Sequence, residues 1–189
     1  MTTLPDRPST ALLVIDVQNG VVADTHNRDD VIANISTVVD KARAEDAPVI
    51  WVQHSGDHLE WGSEGLAVRA RARPARFGAP RPQDLRRLVR GHRAGGTARR
   101  ARCVGRLVVT GAQTDACVRA TLHGAFVRGY DVTLVGDAHT TEDLSECGAP
   151  PPDQVIAHTN LYWQDESAPG RTAGTVDSAE VSFGAGEAG

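Results

Sequence analysis

The stretch Arg106-Leu-Val-Val-Thr-Gly-Ala-Gln-Thr-Asp-Ala-Cys117-Val-Arg-Ala-Thr-Leu-His-Gly-Ala-Phe-Val-Arg128 decides how the chain folds. An apolar run, Leu107 to Val109, meets Thr110 and Gly111, and after a few polar residues an apolar stripe recurs at Val118, Leu122, Ala125 and Phe126. That pattern reads as strand, tight turn, helix. Cys117 falls in the first helical turn, where unpaired N–H groups and the positive end of the helix dipole favour an anion, so its thiol is expected to ionise more readily than usual. A free cysteine is often just a small buried apolar residue. The rim of a sheet is where open α/β folds bind ligands, however, and Cys117 sits at such a rim.

Working outward, Ala11 to Ile15 is a buried-strand run that ends on Asp16, a carboxylate delivered to a strand's C-terminal end. Asp29 and Asp30 precede Val31, Ile35, Val38, Val39 and Ala42, an amphipathic helical spacing with acids in its first turn. Val49 to Val52 reads as a second buried strand and leads into a polar loop with His54, Asp57, His58 and Trp61. No Asp-x-His or His-x-His spacing fixes a ligand geometry there, so no metal is expected. Asp131 to Val135 is a further strand, Pro150 to Pro152 open a helix through Val155, Ile156, Thr159 and Tyr162, and the Gly-, Ala- and Ser-rich tail from Ala168 is expected to fray after a short strand near Val176. Strands alternating with helices imply a mostly parallel sheet with helices on both faces, a three-layer α/β/α sandwich.

The 189 residues fit a single domain, 1–189. Three cysteines, Cys103, Cys117 and Cys147, form no Cys-x-x-Cys pair, which argues against a disulfide framework and fits a reducing cytoplasm. Neither a signal-peptide core nor a membrane-length apolar run is present, so a soluble cytoplasmic protein without a membrane partner is expected. The net charge of −4 hides an asymmetry: residues 66–106 hold 13 Arg and one acid, Asp84, for a local +12, and the remainder carries −16. Such a block ordinarily suggests nucleic-acid binding.

Leu-Val-Ile-Asp16-Val-Gln-Asn, Pro-Val-Ile-Trp-Val-Gln-His54, Val-Thr-Gly-Ala-Gln-Thr-Asp-Ala-Cys117-Val-Arg and Tyr-Asp-Val-Thr-Leu-Val-Gly-Asp-Ala-His139 together resemble the isochorismatase-like cysteine hydrolases, over residues 10–65 and 104–183. The resemblance implies a Rossmann-like fold, a catalytic triad of strand-end Asp, mid-chain Lys and helix-start Cys, and self-association into a homo-oligomer. It places Asp16 and Cys117 in two of the catalytic roles. It further implies a cis peptide between Ala112 and Gln113, an oxyanion hole formed by the Gln113 and Cys117 N–H groups, and no cofactor. Gln18, His54, Trp61 and His139 are candidates to line a pocket for a small polar substrate, a small amide or a vinyl ether. The nicotinamidase branch carries a metal-binding Asp-x-His where this chain has Val52-Gln53-His54, so that activity is disfavoured.

The triad lysine is missing. The chain's one lysine, Lys41, lies on the first helix, on its expected exposed face, and the family's Lys belongs inside the Arg-rich stretch. Back-translated and read one base later, Gln83-Asp84 permits only Lys or Arg, and Asp84 through Ala94 permits Thr-Tyr-Gly-Asp-Ser-Phe-Glu-Asp-Thr-Glu-Leu. That is similar to the family's Lys-x-Tyr-Gly-Asp-Ser-Phe segment. Residues 66–103 therefore read as an out-of-frame translation between correctly framed halves, and 184–189 as a tail. On this reading the basic block reflects codon usage. It also lacks interleaved aromatics, so nucleic acid is not expected as a partner and binding through residues 69–106 is the lesser alternative. Arg cannot exchange protons near pH 7 in place of Lys. Impaired turnover, or a non-catalytic binding or regulatory descendant of the same fold, is the consequence to test.

Overall fold

A computed structural model describes residues 2–54 and 103–184. Trp61, residues 66–102 of the Arg-rich stretch and 185–189 of the tail lie outside the described residues. The elements are β1 (Ser9–Ile15), α1 (Arg28–Ala44), β2 (Val49–Val52), β3 (Val104–Ala112), a π-helical turn (Thr114–Val118), α2 (Arg119–Phe126), β4 (Asp131–Thr140), α3 (Pro152–Gln164), β5 (Ser167–Ala168) and β6 (Arg171–Val176).

The strands form one sheet in the order β2-β1-β3-β4-β6-β5. Among the described residues, the strand pairings are parallel except the short β5–β6 pair. Successive strand residues face opposite sides, so β1 supplies both cores at once. Leu12 and Val14 join Ile35, Val38 and Val39 of α1 on one face. Ala11, Leu13 and Ile15 join Leu122 and Phe126 of α2 and Trp163 of α3 on the other. The three layers follow from that alternation.

Two sequence expectations change. Strand β4 runs on to Thr140 because the ladder with β3 shifts register between Val109 and Gly111, which carries His139 into the sheet. The tail does not fray after Val176: Val181 and Phe183 are buried against the α1 side of the core. Lys41 Nζ donates to the carbonyls of Ser178 (3.0 Å) and Ala179 (2.5 Å), and the Phe183 N–H donates to Glu45 Oε2 at 2.9 Å. Two apolar anchors in a small-residue stretch outweigh its low apolar content.

β1 is flanked by β2 on one side and β3 on the other, so the chain reverses its direction of growth across the sheet there. At such a point the connections leave in opposite directions and open a crevice beyond the carboxyl ends of the strands. Asp16, His54 and Cys117 all follow carboxyl ends at this crevice.

Candidate active site

Close approach of two strands builds the floor of the crevice. Gly111 pairs with Ile15 at the end of β1 and has φ +122°, and a Cβ on it would sit 2.0 Å from the Ile15 carbonyl oxygen. Only glycine fits there. Immediately beyond, Asp16 leaves the strand in a left-handed conformation, φ +52°. The peptide between Ala112 and Gln113 is cis, as the motif resemblance implied.

The Gln113 side chain fastens the turn that bears the cysteine. Its Nε2 donates to the Val21 carbonyl and to Glu142 Oε1, each at 3.0 Å, and its Oε1 accepts from the Glu142 N–H at 2.9 Å. The Gln113 carbonyl accepts from the N–H groups of Ala116 and Val118, which winds residues 114–118 into a π-helical turn ahead of α2. Asp115 accepts a hydrogen bond from the Thr141 hydroxyl at 2.7 Å and ties the same turn to the end of β4.

The Cys117 thiol is partly exposed and hydrogen-bonds to the carboxylate of Asp16, which is buried. Burial pushes the Asp16 pKa up; the thiol hydrogen bond, the charge of His54 and the His54 backbone pull it partly back. One carboxylate oxygen, Oδ1, has no hydrogen-bond partner among the described residues. The thiol departs from the sequence expectation. Burial, the hydrogen bond to Asp16 and the Asp16 charge push it up to about 12, against a small opposing effect of the Gln113 N–H. A helix terminus lowers a thiol's pKa only where it outweighs desolvation and neighbouring anions, and here it does not. Cys117 rests as a thiol.

One donor atom each from Asp16, His54 and Cys117 lies within 4.8 Å of the others. The thiol shares its proton with Asp16, and the His54 ring stands beside both. Gln18 is wholly buried beneath it: Nε2 donates to the His54 carbonyl at 3.0 Å and Oε1 accepts from the His54 N–H at 2.7 Å. Its amide is spent on holding His54 in place rather than offered to a substrate.

His139 also differs from its expected pocket-lining role. It is 1% exposed, with Nδ1 at 2.9 Å from the Thr114 hydroxyl and Nε2 at 2.8 Å from Asn160 Oδ1. Asn160 Nδ2 donates to the Gly136 carbonyl, so Asn160 Oδ1 accepts, which places the imidazole proton on Nε2 and makes Nδ1 the acceptor for Thr114. Burial lowers the His139 pKa and keeps the ring neutral. This strut joins α3 to the start of the cysteine turn, and both ring nitrogens are used up in it. The roles of Thr114 and Asn160 escaped the sequence reading, which took Gly111 only as part of the tight turn. Gly111 alone left a signal, as a glycine closing an apolar run just before the cysteine motif.

Lys41, tied to the tail carbonyls, is not part of this trio. A cavity of about 520 Å³ lies elsewhere, between α2 and α3, lined among others by Arg119, His123, His158 and Tyr162.

A thiol paired with a buried carboxylate at the carboxyl ends of parallel strands defines the class: an α/β protein whose candidate site lies at a crevice of the sheet. The chain belongs to the isochorismatase family: residues 10–160 match the Isochorismatase domain. It is 29% identical over 189 aligned positions to the ureidoacrylate amidohydrolase RutB of Enterobacter sp. strain 638, covering 73% of this chain and 81% of that protein. It is 33% identical over 150 positions to the streptothricin hydrolase of Streptomyces noursei, covering 73% of this chain but 57% of the relative. A cysteine hydrolase from Pseudomonas syringae pv. phaseolicola superposes with a TM-score of 0.73 at 19% identity, over 95% of this chain and 94% of that one. Among the described residues, no helix is long and apolar enough to cross a membrane.

Proposed function

We propose that this isochorismatase-family hydrolase cleaves a small amide, with Cys117 as nucleophile and Asp16 as proton acceptor and donor. The observation that carries the reading is the Cys117–Asp16 hydrogen bond, which gives the thiol proton a destination at the moment of attack. Asp16 takes the proton, the sulfur bonds to the carbonyl carbon, and the N–H groups of Gln113 and Cys117 hold the developing oxyanion. Asp16 returns the proton to the leaving nitrogen. Water then cleaves the thioester and restores the thiol. The amide-cleaving names of the two relatives favour an amide over a vinyl ether, for which Asp16 would act as the acid.

His54, exposed at the crevice, is the described side chain proposed to face the substrate. The test is amine release from a panel of small amides, with mass-spectrometric capture of an acyl group on Cys117. Loss of both in Cys117→Ser supports the reading; turnover that survives this substitution refutes it. The absence of lysine from the described crevice favours a second reading, a binding protein of the same fold. Saturable ligand binding with no acyl-enzyme would select it.

A further inference from the structure

We propose that His139 is a positioning residue for the hydrolysis: through its hydrogen bond to Thr114 it holds the cysteine turn where the Gln113 and Cys117 N–H groups can receive an oxyanion. The inference rests on the thiol chemistry proposed above, and its framework, residues 111–160, lies within the described chain.

The end of β4 acts as a template for the turn. Because the ladder with β3 shifts register after Val109, His139 stands opposite Gly111 and Thr140 opposite Ala112, and the chain beyond them runs beside the residues that follow the cis peptide. Three side-chain ties result, one to each of residues 113–115: His139 to Thr114, Thr141 to Asp115 and Glu142 to Gln113. They are not equal. Asp115 and Glu142 are exposed, so water can replace a lost partner there. Thr114 and His139 are sealed, at 0% and 1% exposure, and a hydroxyl or ring nitrogen left alone between them has no solvent to turn to.

The ring is itself fixed. Asn160 Oδ1 accepts from Nε2 at 2.8 Å while Asn160 Nδ2 donates to the Gly136 carbonyl, which leaves Nδ1 as the acceptor for the Thr114 hydroxyl at 2.9 Å. Thr114 is the first residue of the π-helical turn, and the Gln113 carbonyl just before it anchors the Ala116 and Val118 N–H groups. The Gln113 N–H meanwhile bonds to the Cys117 sulfur. Fixing Thr114 therefore fixes a proposed oxyanion donor against the nucleophile. Such donors are effective because they are in place before charge develops.

The test compares two reactions of Cys117 that differ in their need for oxyanion donors, each resolved from Cys103 and Cys147 by peptide mass spectrometry. Acylation by p-nitrophenyl acetate passes the thiol proton to Asp16, forms the C–S bond through a tetrahedral oxyanion and expels nitrophenolate. Alkylation by iodoacetamide displaces iodide at a saturated carbon and needs no such donors. His139→Gln keeps an amide nitrogen for Asn160 and loses the acceptor for Thr114; Thr114→Val loses the hydroxyl. Each is expected to lower the acylation-to-alkylation ratio at least about tenfold, a fraction of the roughly 10²–10³ that a deleted oxyanion donor costs. His139→Asn, whose Oδ1 replaces Nδ1, and Thr114→Ser keep the bond and are expected to stay within about threefold of wild type. A merely structural role predicts instead that the ratio follows the urea midpoint, with His139→Asn, which gives up Asn160, falling as far as His139→Gln. That result, an unchanged ratio in folded His139→Gln and Thr114→Val, or a wild-type thiol that is alkylated but never acylated overturns the proposal. If the His139 variants do not fold, the Thr114 pair decides alone. Amine release from small amides beside an unaffected ratio refutes the positioning role alone. A ratio that follows His139 and Thr114 in a chain that hydrolyses no amide refutes the hydrolytic reading alone.

Discussion

Replacing Asp16 with Asn separates two effects that a simpler view of the site would merge. At rest the carboxylate suppresses the thiolate, because its charge and its hydrogen bond to the thiol both help raise Cys117 from an ordinary 9.0 to about 12. At pH 8 that shift cuts the thiolate fraction from about one in ten to about one in ten thousand. Burial is the larger cause and remains after the substitution, so Asp16→Asn recovers only part of the roughly thousandfold deficit. Iodoacetamide is expected to alkylate Cys117 about ten- to a hundredfold faster in the variant. Amide hydrolysis is expected to move the other way, because the proton acceptor and donor is gone and such groups are worth about 10²–10⁴ in rate. Alkylation is read by peptide mass spectrometry and hydrolysis by amine release, with urea midpoints confirming equal folding. Slower alkylation together with lost hydrolysis would show that the carboxylate promotes thiolate at rest and would refute the charge argument. Hydrolysis at the wild-type rate would remove Asp16 from the mechanism.

Gly111→Ala is expected to cost about 1–3 kcal/mol from backbone conformation alone, and more from forcing β3 away from the Ile15 carbonyl; the urea midpoint should fall and Cys117 should lose its pairing with Asp16. His139 has its folded pKa depressed below the ordinary 6.5, so the unfolded chain binds the extra proton more readily and stability should fall as pH drops below about 6.5. Urea unfolding at pH 7.5 and 5 checks this, and His139→Asn should flatten the His139 contribution. Phe183→Ala, which empties a buried site against α1, is expected to cost about 3 kcal/mol in the same assay; a change below about 0.5 would mean that the tail does not dock. Reading the coding DNA across codons 64–106 is expected to reveal an offset that restores the Lys-x-Tyr-Gly-Asp-Ser-Phe segment, and an uninterrupted frame shared by related strains would discard that explanation.

The sequence by itself determined the layers and singled out Asp16 and Cys117 at the ends of their strands. Apolar runs of four or five residues alternating with helical stripes leave few choices besides a parallel sheet covered on both faces, and strands in such a sheet end on the residues that face its crevice. Asp16 and Cys117 are legible for that reason. Tertiary structure alone decided how acidic the thiol is and what His139 and Gln18 do. Thiol acidity depends on desolvation and on a carboxylate about a hundred residues away in the chain. The two polar side chains acquire their roles from partners such as Thr114, Asn160 and the His54 backbone, and those partners become neighbours only when the strands pair. The tail shows the same limit: its composition reads as loose chain, and only the exposed edge of the α1 core gives Val181 and Phe183 a place to bind. Periodicity records which face a residue turns inward; it does not record what waits there.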